Sequence, residues 1–324
     1  MNRLFALYIG INDYPEPVNP LKGCVQDVAR IATCIQELYA DYYEIEEQKL
    51  LNERATKKAI IDAFNYFEQA TKGDICLLYY AGHGSVVAAP DALKHLEPNG
   101  MLETLVCYDS RLAGGMDLID KELSYLIWKA TKDKAIQFVS IMDCCHSGQN
   151  TRAVSIRRTQ ASDRNLLIDN LVGYQDFLEV ASGQCKPPVG RHLSLSACRD
   201  IENAKEVKIA NQSAGVFTYA LTTVLKQYKG WINYRQLVHQ TRITVKQFFG
   251  DQSPQLFSTH ISDQSLGFLS HTEIKEDRPH LLFYDRGLAR WAINIGALHG
   301  LSRFKISQFK IEGIAGIHQT SDIL

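Results

Sequence analysis

The 324-residue sequence lacks the features that mark several classes of protein. Its 35 Lys and Arg residues nearly balance its 36 Asp and Glu residues, so no strong field of one sign exists to attract nucleic acid. No uncharged apolar run reaches the roughly 18 residues that a membrane span needs. With only 9 Pro and 45% hydrophobic residues, the chain is neither fibrous nor wholly disordered. We therefore expect a globular protein that binds no nucleic acid and no membrane.

The 8 cysteines form no CxxC pair, which excludes the usual zinc-ribbon and thioredoxin-like motifs. Their density is also far below that of a disulfide-stapled scaffold. Reduced thiols and a cytoplasmic location are therefore predicted. The adjacent pair Cys144 and Cys145 differs from the others because it directly follows a strongly apolar segment.

Apolar runs alternate with helical patterns along most of the chain. Residues 4–11 form a continuous apolar run, as expected for a strand that is buried on both faces. Residues 75–80 form another apolar strand candidate, and residues 135–142 are the strongest strand candidate in the chain. Residues 24–39 carry apolar side chains at helical spacing. This alternation predicts an α/β fold, in which helices flank both faces of a mostly parallel central sheet.

Two of the predicted strands end in short motifs that contain reactive side chains. The first motif is YAGHG at residues 80–84, and the second is DCCHSG at residues 143–148. Since the carboxyl ends of parallel strands meet at one edge of a sheet, His83 and Cys145 will lie side by side if the two strands are neighbours.

A thiol beside an imidazole can act as a nucleophile. The imidazole of His83 would take the proton of Cys145 and later protonate the leaving amine. The attacked oxygen becomes negative, and the backbone N–H groups of Gly84 and Cys145 would stabilise it. A single histidine or a single buried cysteine is commonly structural, but the two motifs together favour catalysis.

With these motifs, the sequence resembles the caspase-like cysteine peptidases of the metacaspase/orthocaspase type. Further matching segments are LYIGINDY at 7–14, LKGCVQDVARIA at 21–32 and LSLSACRD at 193–200. The resemblance implies the caspase-like fold, an α/β/α sandwich. It also implies that His83 is the base and Cys145 the nucleophile, and it suggests a role in regulated cell death or defence.

The resemblance covers about residues 3–270 and implies a peptidase domain over residues 1–270. We expect the last strand of this domain at residues 266–269. The remaining residues, 271–324, form a C-terminal extension of unknown role that could bind a regulatory partner. The expected parts of the domain are a large part at 1–148, a basic linker at 149–191 and a small part at 192–270.

Two acidic residues suggest the substrate preference. In metacaspase-like enzymes, the carboxylates that match Asp143 and Asp200 lie in the pocket for the residue before the scissile bond. Two carboxylates would favour Arg, which binds them through two nitrogens, over Lys and would repel Asp. The chain departs from the usual family pattern after Asp200, which leaves open whether Glu202 or Glu206 joins the pocket.

The linker at 149–191 is rich in arginine, and its counterpart in the family is often cut by the enzyme itself. Candidate self-cleavage sites are Arg152, Arg157, Arg158 and Arg164. The alternative is a solvated, charged loop. Within the linker, residues 166–180 could form a helix.

No cofactor is expected for the bond-breaking step, and the predicted substrates are proteins or peptides with Arg or Lys at the cleavage site. Calcium activation is common in the family, and Asp109, Asp117 and Asp120 are conceivable ligands. Their spacing does not match an EF-hand loop, which favours ordinary surface acids and no metal site. An alternative function is a catalytically silent scaffold of the same fold, although the intact His83–Cys145 pair argues against it.

Overall fold

A computed structural model describes residues 1–145, 156–199, 201–209, 211–274, 282–285 and 290–293. The chain divides into two compact units, Met1–Lys275 and Glu276–Leu324. In the second unit, the described backbone forms an antiparallel pair of strands, β14 and β15. The wider prediction for residues 271–324 lies largely outside the described residues.

A six-stranded sheet forms the centre of the first unit, with the strand order β13-β10-β7-β3-β1-β2. Five strands are parallel, and β13 alone runs antiparallel to its neighbour β10. Every residue of β3 and β7 is buried, which matches the apolar run of β3, and β7 also buries Gln137, Ser140 and Asp143. The strands of this sheet are β1 (Asn2–Gly10), β2 (Tyr43–Leu51), β3 (Ile75–Ala81), β7 (Gln137–Asp143), β10 (Leu193–Ser196) and β13 (Gln255–Ser258).

Helices cover both faces of the sheet, so the predicted fold class is confirmed. Tyr79 of β3 shares a hydrogen bond of 2.7 Å with Thr218 of α4 on one face. On the other face, the ring of Phe138 packs against Phe64 and Phe67, which directly follow α2. The helices are α1 (Cys24–Tyr39), α2 (Lys57–Ala63), α3 (Asp120–Thr131), α4 (Val216–Gln227) and α5 (Tyr234–Lys246).

Small antiparallel sheets lie at the ends of the central strands. Strand β4 begins three residues after β3 ends, and it pairs with β5 to carry the chain away from the central sheet. These strands are β4 (Gly84–Ala88), β5 (Met101–Leu105), β6 (Leu118–Ile119), β8 (Leu178–Ala181), β9 (Gln184–Lys186), β11 (Glu206–Ile209) and β12 (Gln212–Gly215), with β14 (Leu282–Asp285) and β15 (Arg290–Ile293) in the second unit.

Two local predictions are wrong. The last strand of the sheet is β13, and residues 266–269 form only isolated bridges at Leu266 and Gly267, before a positive φ of 50° at Leu269. Residues 166–180 are not a helix, since Gly173 adopts a left-handed conformation and separates two short 3₁₀ turns. In the described part of the chain, no helix is long and apolar enough to cross a membrane.

Candidate active site

The pairing of β3 with β7 brings the two reactive motifs together. The strands are direct neighbours in parallel register, with Ala81 opposite Asp143. His83 and Cys145 each follow these paired residues by the same two positions, at the same edge of the sheet. The backbone register of β3 and β7 therefore brings the two residues to the same edge of the sheet.

His83 is held in one orientation, with one ring nitrogen free. Its side chain is buried, and Nε2 lies 2.7 Å from the carbonyl oxygen of Asn19. A carbonyl can only accept, so Nε2 carries the proton and Nδ1 has the lone pair. Nδ1 is buried and has no hydrogen-bond partner among the described residues. Burial lowers the pKa of His83 to about 4, so the ring is a neutral potential base at neutral pH.

Two buried tyrosines fix the backbone of the His83 loop. The Tyr14 hydroxyl accepts a hydrogen bond from the His83 N–H at 2.9 Å, and the Tyr80 hydroxyl donates to the His83 carbonyl at 2.7 Å. A side chain at Gly82 would meet both hydroxyls at 2.6 Å. This position therefore requires glycine, because the two tyrosine hydroxyls leave no space for a side chain.

Cys145 is only 1% exposed and lies beside a second thiol, that of Cys198. The pKa of Cys145 is lowered, chiefly because the Cys198 thiol donates a hydrogen bond to its sulfur, while burial works in the opposite direction. The same interaction raises the pKa of Cys198. The Cys198 S–H, which also lies 3.5 Å from the Glu202 carbonyl, is thus placed to donate to the Cys145 sulfur, and sequence analysis gave Cys198 no role.

Replacing Cys198 by alanine removes this donor, so we expect the pKa of Cys145 to rise. The pH midpoint of Cys145 alkylation by iodoacetamide, followed by peptide mass, should shift upward. Cys185→Ala, which removes a thiol that donates to Ala92 instead, serves as the control. An unchanged midpoint in Cys198→Ala would show that Cys198 does not tune the nucleophile.

The carbonyl oxygen of Arg157 occupies the space between the two motifs. It accepts hydrogen bonds from the backbone N–H of Gly84 at 3.0 Å and of Cys145 at 3.2 Å. The sulfur of Cys145 lies 3.3 Å from the same oxygen. These amides are the two that the sequence predicted as donors to a developing oxyanion, and here they polarise the carbonyl of a peptide bond.

The side chain of Arg157 fills an acidic pocket and is completely buried. Its Nη1 lies 2.9 Å from Asp143, and its Nη2 lies 3.1 Å from Glu206 and also binds Asp27. Three carboxylates thus surround one guanidinium. A buried charge is tolerated only when it is paired in this way, and here the three carboxylates pair with the guanidinium of Arg157.

Each carboxylate is positioned by further hydrogen bonds. Thr218 donates its hydroxyl to Asp143 at 2.5 Å, and the backbone N–H of Gly215 donates to Asp27 at 2.7 Å. The N–H of Gly23 donates to Glu206 at 2.9 Å. The pocket is therefore built from β7, the first turn of α1, the start of β11 and the β12–α4 junction.

The ionisation of the pocket acids depends on the guanidinium. Burial raises the pKa of Asp27, and Arg157 opposes this rise. For Glu206 burial acts in the same direction, but Arg157 and the donors from Gly23 and Lys22 outweigh it, and the pKa is lowered. A cation in this pocket therefore favours the charged forms of the acids that bind it.

Most of the residues that the sequence singled out lie within the described part of the chain. Asp143 lines the pocket, as does Glu206, whose participation was left open. Arg158 and Arg164 are half-buried, and Arg164 donates to the Leu112 carbonyl. Asp200 and Arg152 lie outside the described residues. Asp27 was missed, and its position inside the matching segment 21–32 was the available signal.

The three acids considered for calcium do not converge on a common point. Asp117 pairs with Arg111 and accepts from Thr104, and Asp120 pairs with Lys121. Asp109 accepts from the backbone N–H of Lys57. Among the described residues, no group of three or more His, Cys, Asp or Glu side chains could hold a metal ion. These acids as arranged therefore do not fit a calcium site.

An open cavity of about 640 Å³ lies beside the acidic pocket. Its lining includes Cys145, Cys198 and Met142, and Met142 projects from the face of β7 opposite to that of Asp143. The acidic pocket itself is filled by Arg157 and does not form part of this cavity. Cys145 therefore borders both an open space and an occupied pocket.

A thiol and an imidazole at the ends of neighbouring parallel strands, in a sheet covered by helices, define the class of caspase-fold cysteine peptidases. The family model described as "Caspase domain" matches residues 3–265. The chain therefore belongs to the caspase-domain family, and it carries the domain of a cysteine-type peptidase of the metacaspase type.

Relatives come from fungi and plants. A Debaryomyces hansenii protein named metacaspase-1 is 24% identical over 82% of this chain and 66% of its own length. Metacaspase-8 of Arabidopsis thaliana is 30% identical over 44% of this chain and 34% of its own length. A crystal structure of a Geobacter sulfurreducens protein has the same fold, with a TM-score of 0.56, 20% identity and coverage of 79% of this chain and 93% of that one.

Proposed function

We propose that this chain is a cysteine endopeptidase that cleaves after basic residues, Arg in preference to Lys. One observation carries the proposal: Arg157 has its side chain among three carboxylates while its carbonyl accepts from the amides of Gly84 and Cys145. This is the arrangement a substrate would need before attack by the thiol. Arg engages the pocket through two nitrogens, which the single ammonium of Lys cannot do.

The proposed reaction uses His83, Cys145 and two backbone amides. Nδ1 of His83 takes the proton of Cys145, and the thiolate attacks the carbonyl carbon after the bound arginine. The oxygen becomes an oxyanion that the N–H groups of Gly84 and Cys145 stabilise. His83 then gives its proton to the leaving amine as the C–N bond breaks. Water, deprotonated by His83, hydrolyses the remaining thioester and restores the thiol.

Self-processing is proposed at the bond between Arg157 and Arg158. Of the arginines in the described linker, Arg157 has its carbonyl 3.3 Å from the sulfur of Cys145. Arg164 instead reaches the Leu112 carbonyl with its side chain. While Arg157 stays in the pocket it excludes any other arginine, so cutting this bond would allow the pocket to empty and accept substrates.

The test is a panel of fluorogenic peptides ending in Arg, Lys, Asp or Asn, assayed with and without calcium. We expect turnover of Arg peptides, less of Lys peptides and none of Asp or Asn peptides. Cys145→Ala should abolish turnover, together with cleavage of the chain at 157–158 as read by intact mass. Cys185→Ala is the matched control and should behave as wild type.

Other results of the panel would favour other functions. No turnover by wild type under any condition would support the silent scaffold. Activity only in the presence of calcium would mean that calcium binds at residues other than Asp109, Asp117 and Asp120. A cytoplasmic location, a role in regulated cell death or defence, and a regulatory partner for residues 271–324 remain predictions.

A further inference from the structure

The chain beyond Arg157 lies as an extra strand on the free edge of β4. Arg158 forms a parallel bridge with Gly84, and Ser162 forms one with Val87. The N–H of Thr159 donates to the Gly84 carbonyl at 3.1 Å, and the N–H of Ser162 donates to the Val86 carbonyl at 2.8 Å. The opposite edge of β4 pairs with β5, so β4 is a fixed template for this segment.

Two side chains form hydrogen bonds to the middle of this added strand. The carbonyl of Gln160 accepts from the hydroxyl of Ser85 at 2.6 Å and from Nη2 of Arg111 at 3.2 Å. Ser85 is completely buried, and Arg111 is anchored by its ion pair with Asp117. The carbonyl therefore meets one neutral and one charged donor, both preset before the segment binds.

The side chains of the added strand contribute less to its binding on β4 than its backbone does. Gln160 and Ala161 are exposed, while their neighbours are half-buried. Recognition through main-chain hydrogen bonds tolerates many sequences, as in other cases where a peptide extends a sheet. The edge of β4 thus binds an extended backbone of any composition compatible with a strand.

We propose that this edge of β4 is the binding site for the residues that follow the scissile bond in substrates. The proposal rests on the proposed endopeptidase function. The second residue after the bond would donate to Gly84, the third would accept from Ser85 and Arg111, and the fifth would donate to Val86. Substrates are therefore interior segments of protein chains that can extend for five residues past the arginine.

The consequence for catalysis is alignment of the leaving amine. A substrate held only by its arginine and the residues before it leaves the other side of the bond free to rotate. Strand pairing along β4 fixes that side next to Cys145 and His83, which reduces the loss of freedom on reaching the transition state. Peptides that end soon after the arginine lack this contribution.

The experiment compares two internally quenched peptides with the same sequence up to the arginine, one with five residues after it and one with a single residue. We expect wild-type kcat/KM to be about fivefold to tenfold higher for the long peptide, as one or two net hydrogen bonds allow. Ser85→Ala should reduce this ratio toward one. Ser270→Ala, which removes a hydroxyl that accepts from Thr272, is the control.

A second pair of long peptides tests the strand register. N-methylation of the second residue after the bond, which matches Thr159, should remove the gain from length. N-methylation of the fourth residue, which matches exposed Ala161, should preserve it. Equal rates for long and short peptides, or equal sensitivity to both methylations, would overturn the proposal. Hydrolysis of the short peptide and its loss in Cys145→Ala report on the endopeptidase function independently.

Discussion

Arg157→Gln is expected to leave the chain uncut between residues 157 and 158 and to empty the acidic pocket. Glutamine has no charge, so Asp27, Asp143 and Glu206 would face one another without a cation. Removing one partner of a buried ion pair costs about 3–5 kcal/mol. The five backbone hydrogen bonds that hold residues 157–162 contribute about 1 kcal/mol each, so their sum is comparable to this cost. We expect the segment to leave because its departure also lets water hydrate the three carboxylates.

Intact mass and gel analysis give the first readout of Arg157→Gln. Arg164→Gln is the matched control and should be cut as efficiently as wild type, because its side chain contacts the Leu112 carbonyl and not the pocket. Cleavage of Arg157→Gln at an unchanged rate would refute the assignment of this bond. If cleavage were lost in Arg164→Gln alone, the processing site would be assigned to Arg164 instead of Arg157.

The second measurement on Arg157→Gln is the rate at which the Cys145 thiol reacts with iodoacetamide. In a His83→Ala background, which prevents processing, iodoacetamide should modify Cys145 at least tenfold faster when Arg157 is also replaced. In the parent the sulfur lies against the Arg157 carbonyl and is 1% exposed. Equal alkylation rates would show that the segment does not shield the site.

The central sheet could be predicted from the sequence because its inner strands are buried on both faces. Such strands are largely apolar, and β3 is a clear example, while β7 is apolar apart from Gln137, Ser140 and Asp143. Their direct pairing, which brings His83 and Cys145 to one edge, follows from the rule that parallel strands end together. Strand β13 was harder because it is short, only partly buried and antiparallel to its neighbour.

The acidic pocket could be predicted only in part. Asp143 belongs to a reactive motif, but Asp27 looks like an ordinary acid in the first turn of α1. The long-range packing of α1 near α4 brings it to Arg157, 130 residues further along the chain. Which of the four candidate arginines fills the acidic pocket likewise depends on where the linker meets β4 and Lys205. No local sequence pattern encodes these contacts.

Gly215→Ala should reduce kcat/KM for arginine peptides by roughly a hundredfold while the protein remains folded. A Cβ at this position would lie 2.4 Å from Oδ2 of Asp143 and 2.8 Å from the Arg157 guanidinium. The backbone, with φ −66° and ψ 129°, is ordinary for alanine, so the conflict lies only with the pocket contents. Loss of one charged hydrogen bond costs about 1.5–3 kcal/mol, which corresponds to this reduction at its upper end.

Gly250→Ala provides the matched control for the variant at Gly215. A Cβ at Gly250 would meet nothing within 4 Å, so kcat/KM and the melting temperature should both match wild type. If Gly215→Ala keeps full activity on arginine peptides, the pocket does not bind the residue before the scissile bond. A matching fall in melting temperature and activity would instead indicate damage to the fold. Loss of activity in Gly215→Ala at an unchanged melting temperature would show that the pocket beside Gly215 binds the arginine before the scissile bond.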